Sequence, residues 1–205
     1  MMNCNRLKPI LFVLIILQVS VFMIRCSSPH SPEKEVPEEC LAASFHLKQG
    51  DYGFDVEARG AGSLQQVEIR LLGFPDSLSN ILLDCEPVTG ADAADLDGDG
   101  YPEVLIYAQS AGSGSYGNVL AYTYSPQQGF RPIRMPDLNE DSLLNDGYSG
   151  HDRFQLEGTR LLRRFPLYGP ESTNSEPIDS NRIVFYSFTQ DEQAPRFRID
   201  GATVE

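Results

Sequence analysis

Four carboxylates in nine residues, Asp95, Asp97, Asp99 and Glu103, are the densest chemistry in this chain. They lie in the stretch Asp95-Leu96-Asp97-Gly98-Asp99-Gly100-Tyr101-Pro102-Glu103, where two glycines let the backbone curl. A hard cation such as calcium takes six to eight oxygens from carboxylates and carbonyls on such a backbone. Without a cation, carboxylates this close repel one another. The plain alternative is a turn whose aspartates bond their own backbone. The spacing favours a structural calcium ion held by Asp95, Asp97, Asp99, the Tyr101 carbonyl and Glu103. A second stretch lies a short strand's length further on. Ser110-Ala111-Gly112-Ser113-Gly114-Ser115-Tyr116-Gly117 combines three glycines, three serines and one aromatic ring.

Aspartates at the first, third and fifth positions and glycine at the sixth are shared with the EF-hand, whose twelfth position is a glutamate. Here that position is Ile106, and Glu103 stands at the ninth instead. The ninth position fits the shorter calcium loop of integrin-type propeller repeats. Those propellers repeat the motif, whereas this chain carries it once and is too short for a propeller. The motif therefore points to a cation and is silent about fold.

The second stretch does other work. Glycine allows positive φ and close approach by a partner. Serine offers adaptable hydroxyls, and tyrosine a rigid anchor of low entropy cost, as in antibody binding loops. A phosphate loop is excluded, since no Gly-Lys-Ser/Thr ending and no following helix are present. The Gly-x-Ser-x-Gly elbow of serine hydrolases is also missing. What remains is a floppy hairpin tip or a probe for another molecule's cleft.

The elements that must hold these two stretches follow period-two patterning. Val67, Ile69 and Leu71 share one face of a strand over Leu64–Leu71, and Phe54, Val56 and Ala58 one face of Tyr52–Arg59. Val104–Ala108, apolar on both faces, reads as a central buried strand between the two stretches. Val119–Tyr124, Phe154–Leu156, Thr159–Phe165, Ile183–Thr189 and Arg196–Ile199 are further strands. One short helix is expected at Asp137–Asn145, with Asp137 or Asn139 as its N-cap. Gly169–Ser180, rich in Pro, Ser and Asn, reads as a loop. Strands at this spacing without interleaved helices indicate an all-β fold, an antiparallel β-sandwich or barrel, and the sequence shows no internal repeat.

The N-terminus is expected to lie outside that fold. Arg6 and Lys8 precede an apolar run from Ile10 to Ile24, the layout of a secretory signal over residues 1–26. Cys26-Ser27-Ser28 resembles a bacterial lipoprotein site, although Ile24 and Arg25 replace the small residues usual before the lipidated cysteine. On that reading Cys26 carries lipid and residues 27–39 form a flexible tether. Residues 40–205 form the domain, and the protein is exported, periplasmic or anchored to the outer membrane. In such an oxidising compartment the remaining pair, Cys40 and Cys85, is expected to form a disulfide, with two free thiols as the alternative. The chain has 29 acidic and 16 basic residues and a net charge of −13, and loses Arg6, Lys8 and Arg25 with the leader. That charge excludes nucleic acid as a partner and suits a cationic protein.

Ser113-Gly114-Ser115-Tyr116 resembles the Ser-Gly-x-Tyr loop of bacterial periplasmic lysozyme inhibitors. The surroundings look most like the branch directed at invertebrate-type lysozyme. Asp95–Glu103 with Val104–Tyr107 is similar to that family's DxDGDGxPE segment. Tyr148-Ser149-Gly150-His151-Asp152-Arg153-Phe154 and Leu162-Arg163-Arg164-Phe165-Pro166-Leu167-Tyr168 are similar to its GHDxF and RRFPxY segments. The resemblance implies an antiparallel β-sandwich that does no catalysis and blocks a lysozyme cleft with its loop. Ser113 would contact a catalytic carboxyl, Gly114 would permit close approach, Tyr116 would fill a sugar subsite, and Ser115 would add a contact or face solvent. His151 and Asp152 read as a satisfied turn, Arg163 and Arg164 as framework or rim charges, and Phe165–Tyr168 as core and strand edge.

Two other functions compete. A calcium-dependent glycan-binding or adhesion module would present the acidic turn to sugar hydroxyls, without tryptophans but with nine tyrosines. A glycosidase using two carboxylates is the third, for which no catalytic set with the chain's three histidines is recognisable. The inhibitor reading gives a non-enzyme whose partner is lysozyme, whose only membrane contact is a lipid anchor, and which could act singly or as a homodimer.

Overall fold

The computed structural model describes residues 40–73, 80–173, 176–190 and 194–205. The expected signal segment, Cys26 and the tether lie outside these residues. Among the described residues no helix is long and apolar enough to cross a membrane.

Among the described residues twelve strands form three antiparallel sheets of four, each a meander of consecutive strands. The first holds β1 (Leu41–Gln49), β2 (Tyr52–Arg59), β3 (Gln65–Leu71) and β4 (Asn80–Cys85). The second holds β5 (Val88–Ala94), β6 (Glu103–Gln109), β7 (Gly117–Ser125) and β8 (Gly129–Ile133). The third holds β9 (Arg153–Glu157), β10 (Arg160–Pro166), β11 (Asn181–Gln190) and β12 (Pro195–Val204). The protein is thus all-β and sandwich-like, as the patterning predicts, with one refinement. The sequence shows no repeat, yet one structural unit occurs three times.

The second sheet is the middle layer. Val104, Ile106 and Ala108 on one face of β6 join Phe54, Val56, Val67, Ile69 and Leu71 of the first sheet in one core. Leu105 and Tyr107 on the other face join Leu161, Phe165, Val184 and Tyr186 of the third sheet in a second core. This is why β6 is apolar at nearly every position: neither face meets water. Burying a large aliphatic or aromatic side chain stabilises the fold by about 1.5–3 kcal/mol, and every residue from Val104 to Ala108 is buried.

The expected single helix is two pieces. A 3₁₀ turn spans Leu138–Glu140, and a four-residue α-helix, α1, spans Ser142–Asn145. Asp137 caps the first, as expected, by accepting from the Asn139 N–H. Asp141 caps the second, accepting from Leu143 and Leu144, and its extended backbone is what separates them.

The expected Cys40–Cys85 disulfide is a correction, because both residues are free thiols. Cys40 precedes β1 and Cys85 ends β4, on opposite edges of the first sheet. Three strand spacings put them roughly 14 Å apart, about twice the Cα separation a disulfide spans. Burial pushes the Cys85 thiol up to about 11, so it is an inert core group.

Candidate functional site

Both stretches singled out in the sequence attach to β6, at opposite ends. The acidic turn joins β5 to β6, and the glycine-serine-tyrosine loop joins β6 to β7. The register pairs Glu103 with Thr123 at one end and Gln109 with Gly117 at the other.

The loop is held from within and from below. Inside it, the Ser115 N–H donates to the Gly112 carbonyl at 2.9 Å and closes a tight turn with Ser113 at its apex. Ser110 Oγ accepts from the Tyr116 N–H at 2.9 Å, and the Ser110 N–H donates to the Tyr116 carbonyl at 2.8 Å. Gln109 Nε2 donates to the Ser115 carbonyl. From below, the His151 N–H donates to the Gly114 carbonyl at 2.7 Å, and the Gly117 N–H donates to Asp152 Oδ2 at 2.8 Å. Among the described residues two non-glycines have positive φ, Ser115 at 41° and His151 at 60°, one on each side of this contact. Such strain persists where the surroundings over-determine the backbone.

Glycine is required where the two segments meet. A Cβ on Gly150 would lie 2.0 Å from the Gly114 carbonyl oxygen, and one on Gly117 would lie 2.6 Å from Asp152 Cβ. A Cβ on Gly114 would strike the Tyr116 ring at 2.4 Å. Thus Tyr116 lies over Gly114 and meets Tyr148 edge to face, with ring centroids 5.9 Å apart. It remains 48% exposed.

Beneath the loop is a buried polar knot. Asp152 accepts from the Gly117 N–H, the Tyr148 hydroxyl at 2.7 Å and Arg163 Nε at 2.6 Å. Arg163 Nη2 donates to the same Tyr148 hydroxyl at 2.7 Å. The guanidinium sits over the Tyr148, Phe154 and Phe165 rings at 5.0, 5.5 and 5.7 Å. Burial raises the Tyr148 hydroxyl's pKa, and the Asp152 charge drives Arg163 further into its cationic form against burial. Arg163 is therefore held as a cation against its burial. Asp152, expected to be satisfied within its turn, is satisfied instead largely by Gly117 and Arg163 from other parts of the fold. Arg163 is framework and Arg164 an exposed charge paired with Glu205.

Sequence reasoning did not find that this framework serves the loop. The signal was there in β10, where Leu161, Arg163 and Phe165 share one face. An arginine on an apolar face must have a buried partner.

At the other end of β6 the aspartates bond the turn's own backbone. Asp95 accepts from Gly98 at 2.8 Å and from Gly100 at 3.1 Å, Asp97 from the Asp99 N–H, and Asp99 from the Tyr101 N–H. Oxygens of Asp95, Asp97 and Asp99 all lie within 4.8 Å of one another. Glu103 is fully buried, and its Oε2 accepts from the Leu96 N–H at 2.8 Å. Burial, with the nearby Asp97 and Asp99 charges added, pushes its carboxyl up to about 7. Burial also raises Asp97, with Asp99 and Asp95 contributing.

The chain matches no known family profile, no curated protein and no solved structure. Its reading rests on these residues.

Proposed function

We propose that this protein is an exported inhibitor of lysozyme that inserts the loop Ser113–Tyr116 into the enzyme's active-site cleft and catalyses nothing itself. The observation that carries this reading is the state of the loop's hydroxyls. Ser110 and Ser115 are directed back onto the loop, while Ser113 stands exposed at the apex with no hydrogen bond of its own among the described residues. A free hydroxyl on a pre-organised backbone loses little entropy on docking.

The chemistry suits the target. A lysozyme needs one protonated and one ionised carboxyl about the sugar bond. A hydroxyl both donates and accepts, so Ser113 can bond either one. Tyr116 supplies the apolar area of a sugar ring beside it, and the acidic charge of the chain favours approach to a cationic enzyme. The ordered set of four segments resembling the inhibitor family supports the same reading, with invertebrate-type lysozyme as the enzyme.

The test is a lysis assay with the full-length protein in mild detergent, titrated against invertebrate-, chicken- and goose-type lysozymes. Inhibition of the invertebrate type is expected. Ser113→Ala and Tyr116→Ala should each weaken it by roughly tenfold or more, as at interface hot spots, with melting temperatures near that of the parent. Absence of inhibition and of binding across all three classes would overturn the proposal. Sugar binding lost on chelation would then identify the glycan-binding module.

A further inference from the structure

We propose that the acidic turn is a calcium site whose innermost ligand is the buried carboxylate of Glu103. The site stands at the opposite end of β6 from the loop and does not depend on what the loop inhibits. Three exposed or half-exposed aspartates would not make a site by proximity alone. The second observation is Glu103. It is fully buried, its Oε2 is taken by the Leu96 N–H, the Thr123 hydroxyl acts on the same carboxylate, and its Oε1 completes no hydrogen bond. Leu96 lies between Asp95 and Asp97, so this tether brings the glutamate head under the turn. A buried carboxylate oxygen with nothing to bond is costly and uncommon in native proteins. Glu103 stands outside the set of oxygens that lie within 4.8 Å of one another, so the turn closes onto it when a cation seated among the aspartates takes Oε1 as a further partner.

The geometry suits one ion. Calcium–oxygen bonds run 2.3–2.6 Å, so a single ion can reach oxygens separated by up to the 4.8 Å seen among Asp95, Asp97 and Asp99. The hydrogen bonds from Gly98 and Gly100 use only part of Asp95's acceptor capacity, since each carboxylate oxygen has two lone pairs. They also curl the turn so that the carboxylates converge. Gly98 and Gly100 have φ of 78° and 88° with open space about them, which leaves the turn free to adjust.

Donor type selects the metal. Only oxygens are offered, with no histidine or cysteine in the cluster, which disfavours zinc and copper. A pliable turn of several carboxylates meets calcium's irregular shell better than the strict octahedron of magnesium. The Tyr101 carbonyl, which precedes the buried Pro102, is the remaining protein oxygen at hand.

The experiment uses the full-length protein in mild detergent, stripped with chelator and titrated with calcium chloride or magnesium chloride by calorimetry and thermal melting. Calcium is expected to bind more tightly than magnesium. At roughly a hundred times its Kd it should raise the melting temperature by about 5–10 °C. Asp97→Asn and Glu103→Gln should each weaken calcium by about tenfold or more. Terbium, which enters calcium sites and is excited through nearby tyrosine, gives the location. The chain has no tryptophan, so Tyr101→Phe should dim terbium emission.

No heat and no melting shift up to ~10 mM calcium, beyond even weak extracellular sites, would overturn the site. Unchanged affinity in a folded Glu103→Gln variant would overturn its innermost ligand. Should that variant not fold, unchanged affinity in Asp97→Asn, altered at an exposed position, would overturn the proposal instead.

Discussion

Strand β6 leaves a turn whose aspartates bond amides no more than five residues away, and enters a loop whose Gly117 N–H bonds Asp152, 35 residues along the chain. In the turn, carboxylates accept from neighbouring amides and remain exposed to each other's charge. In the loop, a distant segment supplies an N–H donor at His151, an acceptor at Asp152 and a ring at Tyr148. The turn is made by its own sequence and has one buried oxygen left over. The loop is made by the fold and has one exposed hydroxyl left over. An unsatisfied group that is buried calls for a small ion, whereas one that is exposed on a rigid support can meet a macromolecule.

The largest effect that would break this contrast belongs to Asp152→Ala. It removes the acceptor for three donors and leaves Arg163 charged and buried, so unfolding free energy in urea should fall by about 3–5 kcal/mol. A loss below about 1 kcal/mol would mean that the knot does not hold the loop. Next is Gly150→Ala, which forces a Cβ against the Gly114 carbonyl and fixes an unfavourable φ of 90°. About 2–4 kcal/mol is expected, measured the same way. Its counterpart in the turn, Gly98→Ala, meets open space and should cost only the backbone term, about 1–2 kcal/mol. Equal costs at the two positions would erase the distinction. Smallest is salt. Raising ionic strength from 0.01 to 1 M shrinks the Debye length from about 30 to 3 Å. Amide exchange at Gly98–Tyr101 should slow as the aspartates stop repelling, while exchange at Ser115–Gly117 should not change.

Much of this frame was legible in the chain. Tyr52–Arg59 is a strand to the residue, and the double-faced burial of β6 follows from its unbroken apolar run. The strands not foreseen, β1, β4, β5 and β8, are all sheet edges. Edge strands bury less, so their patterns blur. β5 contains Gly90 between small residues, and β8 contains Pro132, which an edge tolerates because one side of the strand needs no donor. The loop was legible from composition and its support was not. Nothing local links Gly117 to Asp152, and only the misplaced charge of Arg163 on an apolar face announces the knot. The absent disulfide fails for a related reason: cysteine parity says nothing about which sheet edges the two residues occupy.

Each sheet is assembled from neighbouring strands in chain order, and that has a consequence for how the molecule forms. Ladder partners are consecutive strands, so little loop entropy is lost in closing each hairpin. As the chain emerges N-terminus first, residues 41–85 can complete one meander before the next is available. The middle meander then finds one face already waiting, and the third closes over the other. Because the knot beneath the loop depends on the third sheet, the loop acquires its shape last.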